Sequence, residues 1–170
     1  MLLAALVGGV ALAAASSLNL TPQLERTVKA FQMVPDVKLR YQQLLFLAKK
    51  LPPLDERLCT DDNKVPGCLS TVYITAAADE AGAISFCGAS DSELTKGLAA
   101  LLINGLSGCT VDEIDAVQPE FIKEMGLAQW RTPGPDNGCL DRRAMMKDRD
   151  KQAGAESSPP WAHECAVPLC

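Results

Sequence analysis

The sequence predicts a single α+β domain in which a small antiparallel sheet packs against several helices. Helical spacing of apolar residues fills positions 22–51, two β-rich stretches follow between positions 69 and 88, and helical spacing resumes at position 93. Helices before and after a hairpin are typical of an α+β domain, unlike the strand and helix alternation of a parallel sheet. With 170 residues, 48% of them apolar, the chain is long enough for one core and too short for two comfortable domains.

Two helices open the domain. Thr21 followed by Pro22 is a cap with proline at the first helical position, which predicts a helix up to residue 33. Asp36 is placed to cap a second helix, which ends at Pro52 because proline cannot continue it. The apolar positions of the second helix recur at helical spacing and are Val37, Tyr41, Leu44, Leu45, Ala48 and Leu51. We expect this stripe to be its buried face.

A β-hairpin follows the helices. Residues 69–76 alternate and are rich in threonine, valine, tyrosine and isoleucine, which predicts a strand. Residues 79–82 supply turn-forming side chains, and the stretch 84–88 predicts the returning strand.

Two capping-box patterns mark later helix starts. The stretches 90–93 and 110–113 each have a serine or threonine three positions before a glutamate. The first predicts a helix whose leucines pack on the sheet, and the second a short helix that ends before Pro119, followed by another from Glu120 to about Met125. The core contacts expected in this region are Ile114, Phe121, Ile122 and Met125.

Three further segments complete the domain organisation. Residues 132–138 are a loop by their turn residues, a charged helix is expected from about residue 140 to 152, and residues 153–170 form a loose tail. We therefore predict one domain over residues 20–152.

The first 19 residues are predicted to be a targeting segment. Residues 2–15 are wholly apolar or glycine, and the first charge is Glu25. The apolar run is shorter than the ~20 residues of a membrane-spanning helix, which favours a cleaved segment and no membrane association after processing. A buried or frayed helix, or an incomplete amino terminus, would give the same pattern.

Charge and cysteine spacing narrow the chemistry. The net charge of −5 provides no general basic field, so nucleic acid is a poor candidate partner. Seven cysteines accompany one histidine, and no C-x-x-C occurs, which argues against a zinc ribbon or a thioredoxin-type dithiol. The pair His163 and Cys165 offers too few ligands to predict a metal site. A disulfide scaffold is less favoured, because the apolar helices can form a core without one.

Cys68 is the candidate for thiol chemistry. It follows Pro66 and Gly67, which favour a tight turn, and precedes the first β-rich stretch. A cysteine in a loop between a turn and a strand can present its sulfur to another protein. The alternative interpretation is that Cys68 is a small, buried apolar residue. Cys59 in the preceding loop is either a bystander or a thiol that resolves or protects Cys68, while we expect Cys87 and Cys109 to be packing residues.

The ordered combination of three segments resembles the SufE family. Residues 36–54 read DVKLRYQQLLFLAKKLPPL and are similar to a family helix that ends in Leu-Pro-x-Leu. Residues 65–74, VPGCLSTVYI, resemble its Gly-Cys-x-Ser followed by a strand, and residues 88–103, GASDSELTKGLAALLI, resemble the helix-opening segment after it. The resemblance covers roughly residues 24–150, and its specificity lies in the order of the segments.

This resemblance implies a sulfur acceptor. Cys68 would take persulfide sulfur from a PLP-dependent, SufS-like cysteine desulfurase, stimulate that enzyme, and pass the sulfur to an iron–sulfur scaffold complex. The protein would then be a carrier with a covalent persulfide rather than a stand-alone enzyme, and it would need no cofactor or metal because PLP belongs to the partner. Gly67, Ser70, Asp91 and Lys96 lie in the matching segments and are expected to contribute to docking.

Three departures from the family pattern bear on docking. Val37 stands where the family often has tryptophan, Trp130 where it has histidine, and Gly134-Pro135 where it has Ser-Arg. If the family arginine helps to dock the desulfurase, Arg131 is the nearest replacement cation.

Two other functions and several compartments stay open at this point. The fold could dock on a desulfurase and activate it without accepting sulfur, or the chain could be a secreted disulfide-bonded protein. A signal-like amino terminus suits a plastid reached through the secretory route, and a mitochondrial or cytoplasmic location is the alternative.

Overall fold

The computed structural model describes residues 18–66, 68 and 70–127. Its elements, in chain order, are α1 (Pro22–Gln32), α2 (Val37–Lys50), the 3-10 turns Glu56–Leu58 and Asp61–Asn63, β1 (Val72–Ala78), β2 (Ile84–Ser90), α3 (Glu93–Leu106), α4 (Val111–Ala116) and α5 (Phe121–Glu124). This is the α+β domain that the sequence predicts. Residues 1–17 of the predicted targeting segment, the charged helix at 140–152 and the tail lie outside the described residues. Leu18, at the end of the predicted targeting segment, is buried in the core, and its carbonyl accepts from the Gln118 N–H.

Helix α3 is the centre of the domain. It packs against α2, β2 and α1, and most of its residues from Gly97 onward are buried. A Cβ atom at Gly97 would collide with the backbone carbonyl of Leu44, so glycine permits the close approach of α2 and α3. The core therefore lies between α3, the sheet and the first two helices.

The hairpin forms in the predicted place with shifted strand bounds. β1 and β2 pair antiparallel from Val72 opposite Ser90 to Ala78 opposite Ile84. In the turn, the Asp79 carboxylate accepts hydrogen bonds from two backbone N–H groups, and Gly82 has a φ of +79°. The first strand begins three residues later than predicted, because the N–H of residue 71 donates to a side chain instead of joining the ladder.

The capping box predicted at residues 90–93 is wrong. Ser90 is the last residue of β2, and Ser92 caps α3 through a side chain that accepts from the Thr95 N–H. Pairing of Ser90 with Val72 holds Ser90 in the ladder, so the cap moves two residues along the chain. The second capping box is confirmed, since Thr110 and Glu113 bond reciprocally at the start of α4.

The predicted buried stripe of α2 is only partly buried. Leu44 and Ala48 have no exposed surface, whereas Val37, Tyr41 and Leu45 are 37–38% exposed. Leu44 lies at the contact with α3, opposite Gly97, whereas other apolar residues of the stripe stay partly exposed to solvent. Of the core contacts expected at 114–125, three are fully buried and Ile122 is partly buried.

Candidate functional site around Cys68

The loop that carries Cys68 starts from a fixed base. Val65 and Val72 are buried, and the Val65 N–H donates to the Val72 carbonyl at 2.8 Å. One residue further out, Lys64 pairs with Tyr73 as an isolated β-bridge. These contacts close a loop of residues 66–71 at the start of β1, with Cys68 inside it.

Cys68 carries a thiol that is not part of a disulfide, and the residue is partly buried. It packs against the edge of the hydrophobic core formed by the helices and the hairpin. This apolar contact limits access of water and oxidants to the residue. Gly67 and Leu69, its neighbours in sequence, lie outside the described residues.

The far end of the loop is attached to the start of α3. The Thr71 N–H donates to the Asp91 carboxylate at 3.1 Å, and the Asp91 N–H donates to the Thr71 carbonyl at 3.2 Å. Next to them, the Thr95 hydroxyl donates to the Ser70 hydroxyl at 3.4 Å. Residues 20 or more positions apart in sequence therefore hold the loop in place.

Of the predicted docking residues, Ser70 and Asp91 are brought to the Cys68 loop by these contacts. Lys96 lies further along α3, where its N–H donates to the Ser92 carbonyl at 2.8 Å. Arg131, like Gly67, lies outside the described residues. Sequence reasoning missed Thr71 and Thr95, because no local pattern signals a contact between a loop and a distant helix start.

The remaining described cysteines divide into free and bonded residues. Cys59 and Cys109 are free, and the Cys59 thiol lies 3.9 Å from the Asp55 carbonyl. Burial, followed by the negative charge of Glu113, raises the pKa of the Cys109 thiol. Cys87 is buried, as expected of a packing residue, and it is in addition disulfide-bonded, which the sequence did not predict. The odd cysteine count allowed for such a pair but could not identify it.

The described part of the chain contains no group of three or more histidine, cysteine, aspartate or glutamate side chains that could hold a metal ion. The same residues include no helix that is long and apolar enough to cross a membrane.

The fold and the site define a class: small α+β domains that present one reduced, partly sheltered cysteine on a loop held between a hairpin and a helix start. The profile of the SufE family, described as an Fe-S metabolism associated domain, matches residues 25–151. The chain belongs to the SufE family.

Named relatives agree with this membership. SufE-like protein 1, chloroplastic/mitochondrial, from Arabidopsis thaliana is 45% identical over 131 residues, covering 77% of this chain and 35% of the relative. An uncharacterised SufE-like protein from Synechocystis is 44% identical over 77% of this chain and 82% of its own length. The cysteine desulfuration protein SufE of Plasmodium vivax is 37% identical over 76% of this chain and 53% of its own length. The chain thus spans about a third of the Arabidopsis protein and about half of the Plasmodium protein.

A solved structure has the same fold. The solution structure of a hypothetical protein from Thermus thermophilus superimposes with a TM-score of 0.68, covering 81% of this chain and 99% of that one at 24% identity.

Proposed function

We propose that this protein is a sulfur acceptor that takes persulfide sulfur from a PLP-dependent cysteine desulfurase onto Cys68 and passes it to an iron–sulfur scaffold complex. Membership of a family associated with Fe-S metabolism supports the general role. The observation that supports the specific role is a partly buried Cys68 thiol, outside any disulfide, in a loop held at both ends.

The transfer needs one thiol and no metal. The Cys68 thiolate attacks the outer sulfur of the desulfurase persulfide, forming a bond to that sulfur as the bond to the enzyme cysteine breaks. The electron pair leaves with the enzyme sulfur, which takes up a proton and becomes a free thiol. Cys68 then carries the persulfide. The number of electrons is unchanged overall, so no oxidant or reductant takes part.

A carrier must protect its persulfide from oxidants and also bring the sulfur to its partner. A persulfide exposed to oxidants is lost, and apolar contact around Cys68 reduces that exposure. Delivery then requires the loop to turn outward when the partner binds, a local change common at regulatory interfaces. The anchors at Val65 and at Asp91 confine this movement to residues 66–70.

Docking and location are part of the same proposal. Five residues are proposed to contact the desulfurase, with Arg131 as the substitute for the family arginine: Gly67, Ser70, Asp91, Lys96 and Arg131.

The chloroplastic/mitochondrial name of the Arabidopsis relative supports an organelle, and we propose a plastid, with the mitochondrion or cytoplasm as alternatives. We also propose that PLP is bound by the partner.

Mass spectrometry tests the carrier role. The reduced protein is incubated with a cysteine desulfurase and free cysteine, and intact masses of wild type, Cys68→Ser and Cys59→Ser are compared. We expect a gain of about one sulfur atom on wild type and on Cys59→Ser, mapped to Cys68 and absent from Cys68→Ser.

The same reactions separate the alternative functions. A docking activator would gain no sulfur, and its Cys68→Ser variant would still stimulate the desulfurase. A protein that gains no sulfur and does not stimulate the desulfurase would have neither function.

A further inference from the structure

The exposed large apolar side chains of the described residues are clustered in one region. All of them lie between residues 33 and 46, and these are Met33, Val37, Leu39, Tyr41, Leu45 and Phe46. Exposed apolar residues that are scattered singly need no explanation, whereas a contiguous group marks an interaction surface. Most of this group belongs to α2, so α2 has a free apolar face in addition to the side that packs on α3.

The outer face of α2 is defined here by five residues: Lys38, Leu39, Phe46, Lys49 and Lys50. Leu39 and Phe46 are seven residues apart, about two helical turns, so they lie in one row. They are 48% and 57% exposed. The row points away from the core, because Phe46 follows the buried Leu44 by about 200° of helical rotation. By the same geometry, Lys38 and Lys49 flank the row on one side and Lys50 on the other.

The charge of α2 differs from that of the rest of the chain. The helix contains four basic residues and no acidic residue, although the net charge of the chain is −5. Arg40 bonds to the loop before the helix, since its Nε donates to the Val34 carbonyl at 2.7 Å. The other three, Lys38, Lys49 and Lys50, are exposed, and among the described residues none of them is in an ion pair. A positive charge therefore surrounds the apolar row.

We propose that the outer face of α2 binds the surface of an anionic lipid bilayer. A basic amphipathic helix is typical of such binding. Leu39 and Phe46 enter the headgroup region, and the flanking lysines extend their ammonium groups to the lipid phosphates. The Lys50 ammonium already lies 4.6 Å from the centre of the Phe46 ring, so ring and charge reach the same point of the surface. With 14 residues, α2 lies along the bilayer and is too short to cross it.

The face fits a lipid surface better than other partners. Its opposite side packs on α3, so a protein groove cannot enclose the helix. Pairing two copies through this face would bring two sets of lysines together, which is unfavourable. A nucleic acid would bind the lysines through its phosphates and leave Leu39 and Phe46 unused. An anionic bilayer uses both the charges and the apolar row.

The sequence predicts no membrane association after processing, and that prediction depends on the short apolar run at residues 2–15. The outer face of α2 gives the opposite expectation for the processed domain, because it is a separate feature within the fold. The proposal is also independent of sulfur transfer at Cys68, since the outer face contains neither the Cys68 loop nor any of the proposed docking residues.

Vesicle flotation tests the proposal with the full chain. Purified protein is mixed at low ionic strength with vesicles of phosphatidylcholine alone or of phosphatidylcholine and phosphatidylglycerol. We expect the protein to float with the phosphatidylglycerol vesicles only, and to be released as salt is added. Equal binding to both kinds of vesicle, or binding to neither, would overturn the proposal.

Neutralising single lysines tests the position of the charge. Lys38→Gln and Lys49→Gln should each lower the partition coefficient for anionic vesicles about fivefold. Lys123→Gln removes an exposed lysine from α5 and should change the coefficient less than about twofold. All variants retain residues 1–17, so binding through that apolar segment would be the same in each. Equal losses in the three variants would show that only net charge matters and would contradict the proposal.

Substitution of Phe46 tests the apolar row. Phe46→Ser should lower the partition coefficient about tenfold, while Phe46→Leu keeps an apolar side chain and should lower it less than about threefold. The side chain is exposed, so circular dichroism should show both variants folded. If the lysine variants lose binding and Phe46→Ser does not, the face binds anions in general, as nucleic acid would, and the proposal is wrong.

Sulfur transfer separates lipid binding from protein docking. We expect Lys49→Gln and Phe46→Ser to accept sulfur from a cysteine desulfurase in solution as wild type does. Variants that bind vesicles normally but fail to accept sulfur would identify the face as a protein docking surface, which would overturn the proposal. Wild type that binds anionic vesicles but accepts no sulfur would refute the proposed carrier function and support lipid binding.

Discussion

Thr71 and Asp91 exchange two hydrogen bonds across 20 positions of sequence, one to the carboxylate at 3.1 Å and one between backbones at 3.2 Å. The pair joins the end of the Cys68 loop to the residue that precedes the α3 cap. Because α3 is the most buried helix of the described domain, the loop is attached to the part that we expect to open least. The Asp91 carboxylate is thus one of the groups that link the Cys68 loop to the core.

We expect Asp91→Ala to loosen the loop. The substitution leaves the Thr71 N–H without its acceptor, which costs about 0.5–1.5 kcal/mol because both groups are partly solvated. Chemical denaturation should show this loss of stability, and alkylation of Cys68 in the native protein should become faster. Asp91→Asn keeps an oxygen acceptor at the same place and is the control. Equal alkylation rates in wild type and Asp91→Ala would contradict this role.

We expect Gly97→Ala to be among the more destabilising single substitutions in the chain. The new Cβ meets the Leu44 backbone carbonyl, which cannot rotate away as a side chain can. Separating α2 from α3 to make room should cost about 1–3 kcal/mol in the free energy of unfolding. Urea denaturation measures this cost. Gly82→Ala is the comparison, because it tests backbone strain without a steric clash.

Gly82 has open space but a positive φ, so its substitution strains only the hairpin turn. A smaller loss for Gly97→Ala than for Gly82→Ala would show that α2 adjusts more readily than the packing suggests.

The elements that sequence predicted well are those fixed by local chemistry. Thr110 and Glu113 satisfy each other within four residues, so their helix start can be recognised from the chain alone. Ser90 and Ser92 both fit a helix cap, and only the pairing of Ser90 with Val72 decides between them. The position of the cap therefore depends on a tertiary contact that cannot be recognised in the sequence.

The site, too, has features that local sequence predicts and contacts that it does not. The turn before Cys68 and the strand after it are local, and the sequence placed the cysteine between them. The contact of Thr71 with Asp91 joins distant segments, and the Cys87 disulfide needs a pairing that an odd cysteine count leaves open. Which apolar residues of α2 are buried likewise depends on how α3 packs against it.

We expect Cys109 to stay unlabelled in the native protein at neutral pH. The residue is 8% exposed, and burial together with Glu113 raises the pKa of its thiol, so both access and the reactive thiolate are limited. Maleimide labelling followed by peptide mapping should modify Cys59 and Cys68 first. Cys109 modification as fast as that of Cys59 would contradict the buried position.

The same thiol predicts a loss of stability in alkaline solution. The unfolded thiol ionises near its ordinary pKa of 9.0, while the folded thiol holds its proton to higher pH. The native state therefore binds more protons above that pH, and stability falls as pH rises. Cys109→Ala should show a smaller fall than wild type between about pH 8 and 10, measured by urea denaturation.

The ion pair of Asp55 and Arg57 gives a prediction at acidic pH. The side-chain and backbone hydrogen bonds of Arg57 hold the pKa of the Asp55 carboxyl at about 2, below its ordinary value of 3.8. A lowered pKa adds stability above the ordinary value, and this contribution disappears as pH falls from 3.8 toward 2. Because the pair is open to solvent, salt should weaken it.

NMR titration of the Asp55 carboxyl measures the effect directly. We expect a midpoint near 2 in wild type at low salt and a midpoint closer to 3.8 in Arg57→Ala, which removes the guanidinium and keeps the backbone N–H. The control Arg26→Ala removes a guanidinium from α1 that has no described bond to Asp55, and it should leave the midpoint unchanged. A wild-type midpoint at the ordinary value would show that the Arg57 side chain is not held against the carboxylate in solution.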